Sequence, residues 1–406
     1  MNLIRHSALA LAATATLLAG CATPSVPKEP VMLRVVAFND LHGHLQTAAL
    51  NLPHPNPANA AQPLRVNVGG TAELSGLVRA LRASAKHSVV VSSGDAFGGT
   101  PLISALFFHE ATVDVMNRIG VDVAALGNHE FDAGAAELQR VLAGGCRTPQ
   151  PGDTAISCAL GRHEGAKFPH VAANVLKADG TPLVPPSVVK TIGGIRVGFI
   201  GAVTRSTPGI VVPSGVAGLR FTDEADAINA EAARLQAQGV QALVATIHEG
   251  GFNDAAQMEW NSSACPGRRG AIFEIEQRLA PAVDVVLSAH THQGYACLVN
   301  GRPVMQALSF GRGLSVVDLV LDPATGDVDR SRTAFRNLPV FNGRTEAAHR
   351  ELVIGQEPAP YAAALRAAQP DADVAARVAA YAERARPLAE RVVGRIGGPA
   401  AAAPAG

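Results

Sequence analysis

Apolar runs alternate with polar breaks along most of this chain, and the period of each run predicts an element. Residues 31–38 are apolar and rich in β-branched side chains, as a buried strand requires, and they stop at Asn39-Asp40. Residues 73–84 place Leu74, Leu77, Val78 and Leu81 on one helical face. A short apolar strand at 88–91 ends at Ser93-Gly94-Asp95. Residues 101–119 fit a helix with proline in its first turn. Further strands are predicted at 121–126, 195–203, 242–247 and 283–289. Residues 51–62 are polar, Pro-rich and without a period, so a surface loop is expected there. Residues 306–321 read as a closing strand pair around Gly311-Arg312-Gly313. Beyond 347, Val374, Val378, Tyr381, Leu388 and Val392 recur at helical spacing behind Asp371, a candidate N-cap. The Gly, Pro and Ala stretch at the end cannot build a core.

The polar segments at the strand ends are more informative than the strands themselves. They are Asn39-Asp40-Leu41-His42-Gly43, Ser93-Gly94-Asp95, Gly127-Asn128-His129-Glu130-Phe131-Asp132, His248-Glu249-Gly250-Gly251 and His290-Thr291-His292, with Ala173-Asn174-Val175 as a weaker motif. Asp, Asn and His are the side chains that bind divalent cations through oxygen and imidazole nitrogen. In α/β sheets, ligands bind outside the carboxyl ends of the strands, where loops converge. Taken singly, an Asp-x-His-Gly is as well explained by an Asx turn, and a His-x-His by chance. Together, in this order and at these places, they point to a two-metal hydrolase. Of the 13 histidines, those outside the motifs are assigned to surface, loops or local hydrogen bonds; His44, two residues past His42, is either a support behind the ligands or, by preference, part of a solvated loop.

Composition narrows the field. The chain has 406 residues, 48% hydrophobic and 17% charged, enough apolar material for a sizeable core. A formal net charge of zero leaves no basic field for a nucleic-acid polymer. At 4% aromatic residues, a base-stacking platform is not expected either.

The first 20 residues read as an export signal, with Arg5 and His6 ahead of an apolar stretch at 8–18 that is too short to span a membrane. Leu18-Ala19-Gly20-Cys21 resembles a bacterial lipobox. The resemblance implies cleavage before Cys21 and acylation of its thiol; the alternative is an ordinary signal peptide. Residues 21–30 then form a Pro-rich tether. The expected location is the periplasm or cell envelope, with a lipid anchor to the membrane. Such a compartment is oxidising, so Cys146, Cys158, Cys265 and Cys297 are disulfide candidates, with three pairings open to them.

The ordered motifs resemble the bacterial 5′-nucleotidase family, a branch of the calcineurin-like metallophosphatases, over about residues 31–322. The resemblance implies an α/β (α+β) fold: a four-layer αββα sandwich of two mixed sheets over 31–340, followed by a helical linker and tail at 341–406. Alternation alone suggests a single open sheet. The resemblance also implies two divalent ions, one held by Asp40, His42 and His292 and one by Asn128, His248 and His290, with Asp95 between them. This ligand mixture suits Mn²⁺, Zn²⁺, Co²⁺ or Fe²⁺. The implied activity is release of phosphate from nucleotides by a metal-bridged hydroxide. His129 would donate to the phosphoryl oxygen or leaving group, oriented by Asp132. Glu130 is either a support for the ligands or a charge at a helix N-terminus.

The chain departs from that pattern in two places. Ala289 stands where the family has glycine before His-x-His. Residues 392–399 look like the junction to a second domain that, in the family, holds the nucleoside between aromatic rings. The expectation is a chain lacking that domain, with a partner chain as one source of it. Nucleotide preference is therefore open. Alternatives on the same site are a 2′,3′-cyclic nucleotide phosphodiesterase and a nucleotide-sugar or sulfur-ester hydrolase. A non-enzymatic alternative is a truncated surface lipoprotein acting as an interaction module, which the full ligand set argues against.

Overall fold

A computed structural model describes residues 29–47, 49–59, 61–255, 259–392 and 394. The expected export signal, Cys21, most of the tether and most of the 392–399 junction lie outside the described residues. The chain runs through β1 (Val31–Phe38), β2 (Leu50–His54), β3 (Leu64–Val68), α1 (Thr71–Ala83), β4 (Ser88–Ser92), α2 (Leu102–Ala105), α3 (Glu110–Ile119), β5 (Val123–Ala125), α4 (Ala135–Ala143) and β6 (His170–Val171). It continues through β7 (Val175–Leu176), β8 (Ser187–Ile192), β9 (Ile195–Val203), α5 (Thr207–Ile210), β10 (Arg220–Phe221), α6 (Glu224–Ala237), β11 (Ala242–His248), α7 (Ala271–Arg278) and β12 (Val285–Ser288). The last elements are β13 (Gly294–Val299), β14 (Arg302–Ala307), β15 (Gly313–Leu321), β16 (Ala334–Pro339), α8 (Ala347–Ile354), α9 (Ala359–Ala367) and α10 (Ala372–Ala389).

Two six-stranded sheets result, ordered β16-β15-β1-β4-β5-β6 and β13-β14-β12-β11-β9-β8. Both are mixed. In the first, β1 runs parallel to β4 and antiparallel to β15. In the second, β11 is parallel to β9 and β12, while β8 and β13 are antiparallel edges. Successive side chains on a strand point to opposite faces, and here both faces are covered, so the strands read as unbroken apolar runs. Leu33, Val35, Val89 and Val91 meet Val197, Phe199, Val244 and Leu287 between the sheets. Val36, Phe38 and Val90 pack beneath Leu74, Val78 and Val115 of α1 and α3. Ile200, Leu243 and Ile247 pack beneath Ile228, Leu235 and Ile272 of α6 and α7. This is the four-layer αββα arrangement, and it excludes the single open sheet.

Several local expectations change. Residues 51–54 are not loop: β2 pairs with β3 and buries Leu52 against Val66, an alternation too short to stand out in sequence. The helix expected over 101–119 breaks at Phe108 and His109, both with left-handed backbones (φ 48° and 64°). The closing pair expected at 306–321 does not form, since β14 and β15 belong to different sheets. The chain changes layer between them through Leu308 (φ 63°), Phe310 (φ 59°) and Gly311. The described part of 341–406 packs on the domain: Val353, Ile354, Tyr361, Leu365, Val374 and Tyr381 join the same apolar cluster as α1. Asp371 caps α10 by accepting from the amides of Asp373 and Val374. Disulfides join Cys146 to Cys158 and Cys265 to Cys297.

Candidate metal centre

The loops after β1, β4, β5, β11 and β12 converge along one edge of the two sheets and are tied to one another by backbone hydrogen bonds. Asp40 N donates to Gly94 O (3.1 Å) and His42 N to Asp95 O (2.9 Å). His129 N donates to Asp95 Oδ1 (2.9 Å), and His290 N donates to both Asp40 oxygens at 3.0 Å. Asp40, His42, Asp95, His290 and His292 all have left-handed backbones, with φ between 45° and 72°. For residues with a Cβ such conformations cost on the order of 1–3 kcal/mol each and persist only where the surroundings impose them. Here the cross-loop hydrogen bonds impose them, and the side chains face one another as a result.

The donor atoms form three overlapping groups, each with its atoms within 4.8 Å of one another: Asp40, His42 and His292; His42, Asp95 and His129; Asp95, His248 and His290. His248 Nε2 lies 3.0 Å from Asp95 Oδ2 and 3.1 Å from Asn128 Oδ1. His42 Nε2 lies 3.1 Å from His292 Nε2 and 3.6 Å from Asp95 Oδ2. His292 Nε2 is 3.5 Å from Asp40 Oδ1. The outward nitrogens complete the picture. His42 Nδ1 is 2.8 Å from Gly98 O and His248 Nδ1 is 2.9 Å from Ser93 O. A carbonyl oxygen can only accept, so each Nδ1 carries the proton and each Nε2 presents its lone pair inward. Imidazole lone pairs, carboxylates and an amide oxygen aimed at a common point are a cation site's donor set, and the residues present fit divalent metals.

Electrostatics agree. Burial opposes ionisation of Asp95, yet the neighbouring His248 and His42 hold its carboxyl well below the usual range. Burial pulls His248 down as well, but Asp95 raises it to about 10. Each group thus favours charge on the other, and a cation held at Nε2 and the Asp95 carboxylate would take the place of a proton there.

Glu130 is not a charge at a helix end. It is buried, and its Oε2 accepts from the amides of Asp95 (3.0 Å) and Gly127 (2.6 Å) while Oε1 accepts from Ala96 (2.8 Å). Burial pushes its carboxyl up to about 7, with the Asp95 charge adding to the rise and the amides opposing it. His129 Nδ1 pairs with Asp132 Oδ2 at 2.8 Å, and that bond raises the imidazole's pKa above its ordinary value. Gly99 N also donates to Asp132 Oδ2 (3.1 Å), which fixes the carboxylate.

His44 departs from the solvated loop preferred for it, and the supporting roles of Asn39 and Phe310 were not anticipated. His44 is half-buried rather than solvated, stacked on Phe310 with ring centroids 4.1 Å apart. Asn174, the weaker motif, exchanges hydrogen bonds with the Val203 backbone. Asn39 is a support that the motif itself contained: its Nδ2 donates to Asp40 Oδ2 (2.6 Å), and its Oδ1 accepts from Ala307 N (3.0 Å). Phe310 and Arg312 lie on the loop between β14 and β15, with Phe310 bordering His42 and His292 and Arg312 behind it, and no local pattern marked them.

Residues 33–294 match the family model described as calcineurin-like phosphoesterase. The chain belongs to that family. Endonuclease YhcR of Bacillus subtilis is 34% identical to this phosphoesterase over 306 residues, 75% of this chain and 23% of the relative. A probable 5′-nucleotidase of Treponema pallidum is 30% identical over 269 residues, 64% of this chain and 36% of the relative. The phosphoesterase thus spans well under half the length of either. The crystal structure of a 5′-nucleotidase precursor from Thermus thermophilus superposes with a TM-score of 0.62 at 24% identity, covering 89% of this chain and 60% of that chain. At that identity the likeness is one of fold: the same layered metallophosphatase architecture. Among the described residues, no helix of the phosphoesterase is long and apolar enough to cross a membrane.

Proposed function

We propose that the phosphoesterase releases phosphate from nucleotides with the help of two divalent cations, outside the inner membrane. The observation that carries the reading is the inward set of Nε2 lone pairs around Asp95, each fixed by an outward Nδ1–H···O=C bond. Asp40, His42 and His292 would hold one cation and Asn128, His248 and His290 the other, with the Asp95 carboxylate available to both sets. Manganese, zinc, cobalt and iron all suit these ligands. Bound divalent ions supply positive charge that draws in a phosphate dianion and makes water acidic enough to attack near neutral pH.

The protein's own residues do the rest. Asp132 orients the His129 ring and supports its positive charge. Protonated His129 donates to the phosphoryl oxygen or to the leaving oxygen, a role that typically contributes about 10²- to 10⁴-fold. Glu130, with its three amide bonds, keeps the Asp95 and Asn128 loops in register. Export is supported by the signal-like first 20 residues and by two disulfides, which persist in oxidising compartments. Acylation at Cys21 holds the protein to the membrane in this reading.

The test is to strip metal with a chelator, verify its loss and assay phosphate release. Undiminished activity rejects the reading, and recovery on adding back a single metal identifies which ion serves. A second reading, cleavage of a phosphodiester on the same site, takes its support from the identity to a protein named an endonuclease. A panel of nucleoside monophosphates, 2′,3′-cyclic nucleotides, aryl phosphate and single-stranded DNA separates the two.

A further inference from the structure

On the His129 side of the metal centre the surface opens into a cavity of about 650 Å³ between α2 and α10. The turn that leads there belongs to the site. Gly99 N donates to Asp132 Oδ2 (3.1 Å), and a Cβ on Gly99 would lie 3.3 Å from Cε1 of His129. Two residues on, Pro101 precedes α2 and borders the cavity. Adjacent Cα atoms are about 3.8 Å apart, so the Pro101 Cα lies within about 7.6 Å of the Gly99 Cα. The loop that carries Asp40 and His42 reaches the same place. A Cβ on Gly43 would lie 2.9 Å from Thr100 Cγ2, and Gln46 lines the cavity three residues later.

The walls are apolar and the rim is polar. Pro101 and Leu102 form one wall, with 40% of Leu102 open to solvent, and Ala382 and Ala385 of α10 form the other. The cavity's one arginine, Arg386, is paired with Glu383 at 2.6 Å, so the walls hold no free guanidinium for a second phosphate. The exposed Gln46 carboxamide has no hydrogen-bond partner among the described residues. It offers donors and an acceptor to a ligand edge. Sites for small ligands combine apolar walls with a few polar groups that fix orientation.

The geometry points to the cavity between α2 and α10 as the subsite for the leaving group's ring system, a flat, uncharged heterocycle such as a nucleobase, with Gln46 hydrogen-bonding to its polar edge. The inference rests on the activity proposed above and adds where the leaving group lies. In that reading His129 donates to the leaving oxygen, so the leaving group departs along the turn from Gly99 to Pro101. The sugar spans that turn, and the base enters between Leu102 and Ala382.

The bland alternative is a solvent-filled seam between two helices. AMP and ribose 5-phosphate separate the two, because they share the scissile bond and differ only in the base. On the metal-loaded full chain, kcat/KM for AMP is expected to exceed that for ribose 5-phosphate by about tenfold or more, the scale of burying part of one ring face. Ala382→Leu fills the cavity with another good helix former and is expected to remove most of that ratio. Gln46→Ala is expected to lower it by about threefold, the scale of one neutral hydrogen bond. A wild-type ratio near one overturns the inference, and so does an unchanged ratio in either variant. Equal losses on both substrates mark a disturbed turn and overturn it too. If the wild-type protein hydrolyses neither ester, the proposed activity fails, and adenosine binding then decides the cavity by itself. Calorimetric titration with adenosine is expected to show affinity about tenfold weaker in Ala382→Leu than in the wild type. No binding to the wild type, or equal affinity in the two proteins, overturns the inference.

Discussion

Glu130 reaches across 35 residues of sequence to accept the backbone amide of Asp95 at 3.0 Å. Its carboxylate also accepts from Ala96 and Gly127, so one buried side chain ties together the loops that end β4 and β5. The two loops carry Asp95, the carboxylate proposed to bridge, and the Asn128-His129 pair. Their spacing therefore depends on an acceptor that touches neither metal nor substrate.

Glu130→Gln tests that dependence. A carboxamide has one acceptor oxygen, and its NH₂ group must face an amide N–H. A lost bond to a charged group costs roughly 1.5–3 kcal/mol, which is at least about a tenfold loss in metal affinity if the loops separate. Metal titration of the purified variant, followed beside its Tm, is the measurement. Wild-type metal affinity in the variant contradicts this role.

His129→Ala separates chemistry from metal binding. The expected result is a fall in kcat of about 10²- to 10⁴-fold with metal content near that of the wild type. Elemental analysis of the variant decides the point, and loss of metal shows that His129 is itself a ligand.

Asp95→Ala removes the carboxylate shared by the two ligand groups. Turnover is expected to vanish and at least one metal equivalent to be lost, because two cations about 4 Å apart repel without an anion between them. A variant that keeps both ions and measurable turnover refutes the bridging assignment.

His170 makes a pH prediction away from the site. Its ring is buried at β6, and burial pulls its pKa down to about 3 from the ordinary 6.5. The folded-state pKa is depressed, so this stabilising contribution is complete above the unfolded value of 6.5 and is lost as pH falls from there towards 3. Within that window the group contributes a slope of up to about 1.4 kcal/mol per pH unit. Urea unfolding at several pH values is expected to show a shallower acid slope in His170→Gln than in the wild type. Equal slopes place the origin of the acid lability elsewhere, for example at His109, which burial also lowers to about 4.

Much of the site was legible before folding because each strand is a local apolar run with a polar stop. Asp40, Asp95, Asn128, His248 and His290 each stand within a few residues of such a run's end, so type and place were both visible. Glu130 was visible as a residue but not as a clamp, since its three partners lie in two loops. His44 looked solvated because the ring that covers it, Phe310, arrives from far along the chain. The strand pair expected at 306–321 failed for a related reason. Both strands exist, but a turn with left-handed Leu308 and Phe310 sends the chain from one sheet to the other, and apolar periodicity carries no sign of which sheet a strand joins.

By itself the amino-acid order determined the candidate ligand types, their positions at strand ends, and the family to which their sequence of motifs belongs. Those depend on chemistry within a few residues of each position. Only the tertiary structure decided how the cysteines pair, that β14 and β15 part company, which imidazole nitrogen faces inward, and that Phe310 covers His44. Each of these is set by a partner distant in sequence: Ser93 O, for instance, fixes the His248 ring across 155 positions. A hydrogen bond or a ring contact exists only once two such positions share a place in space.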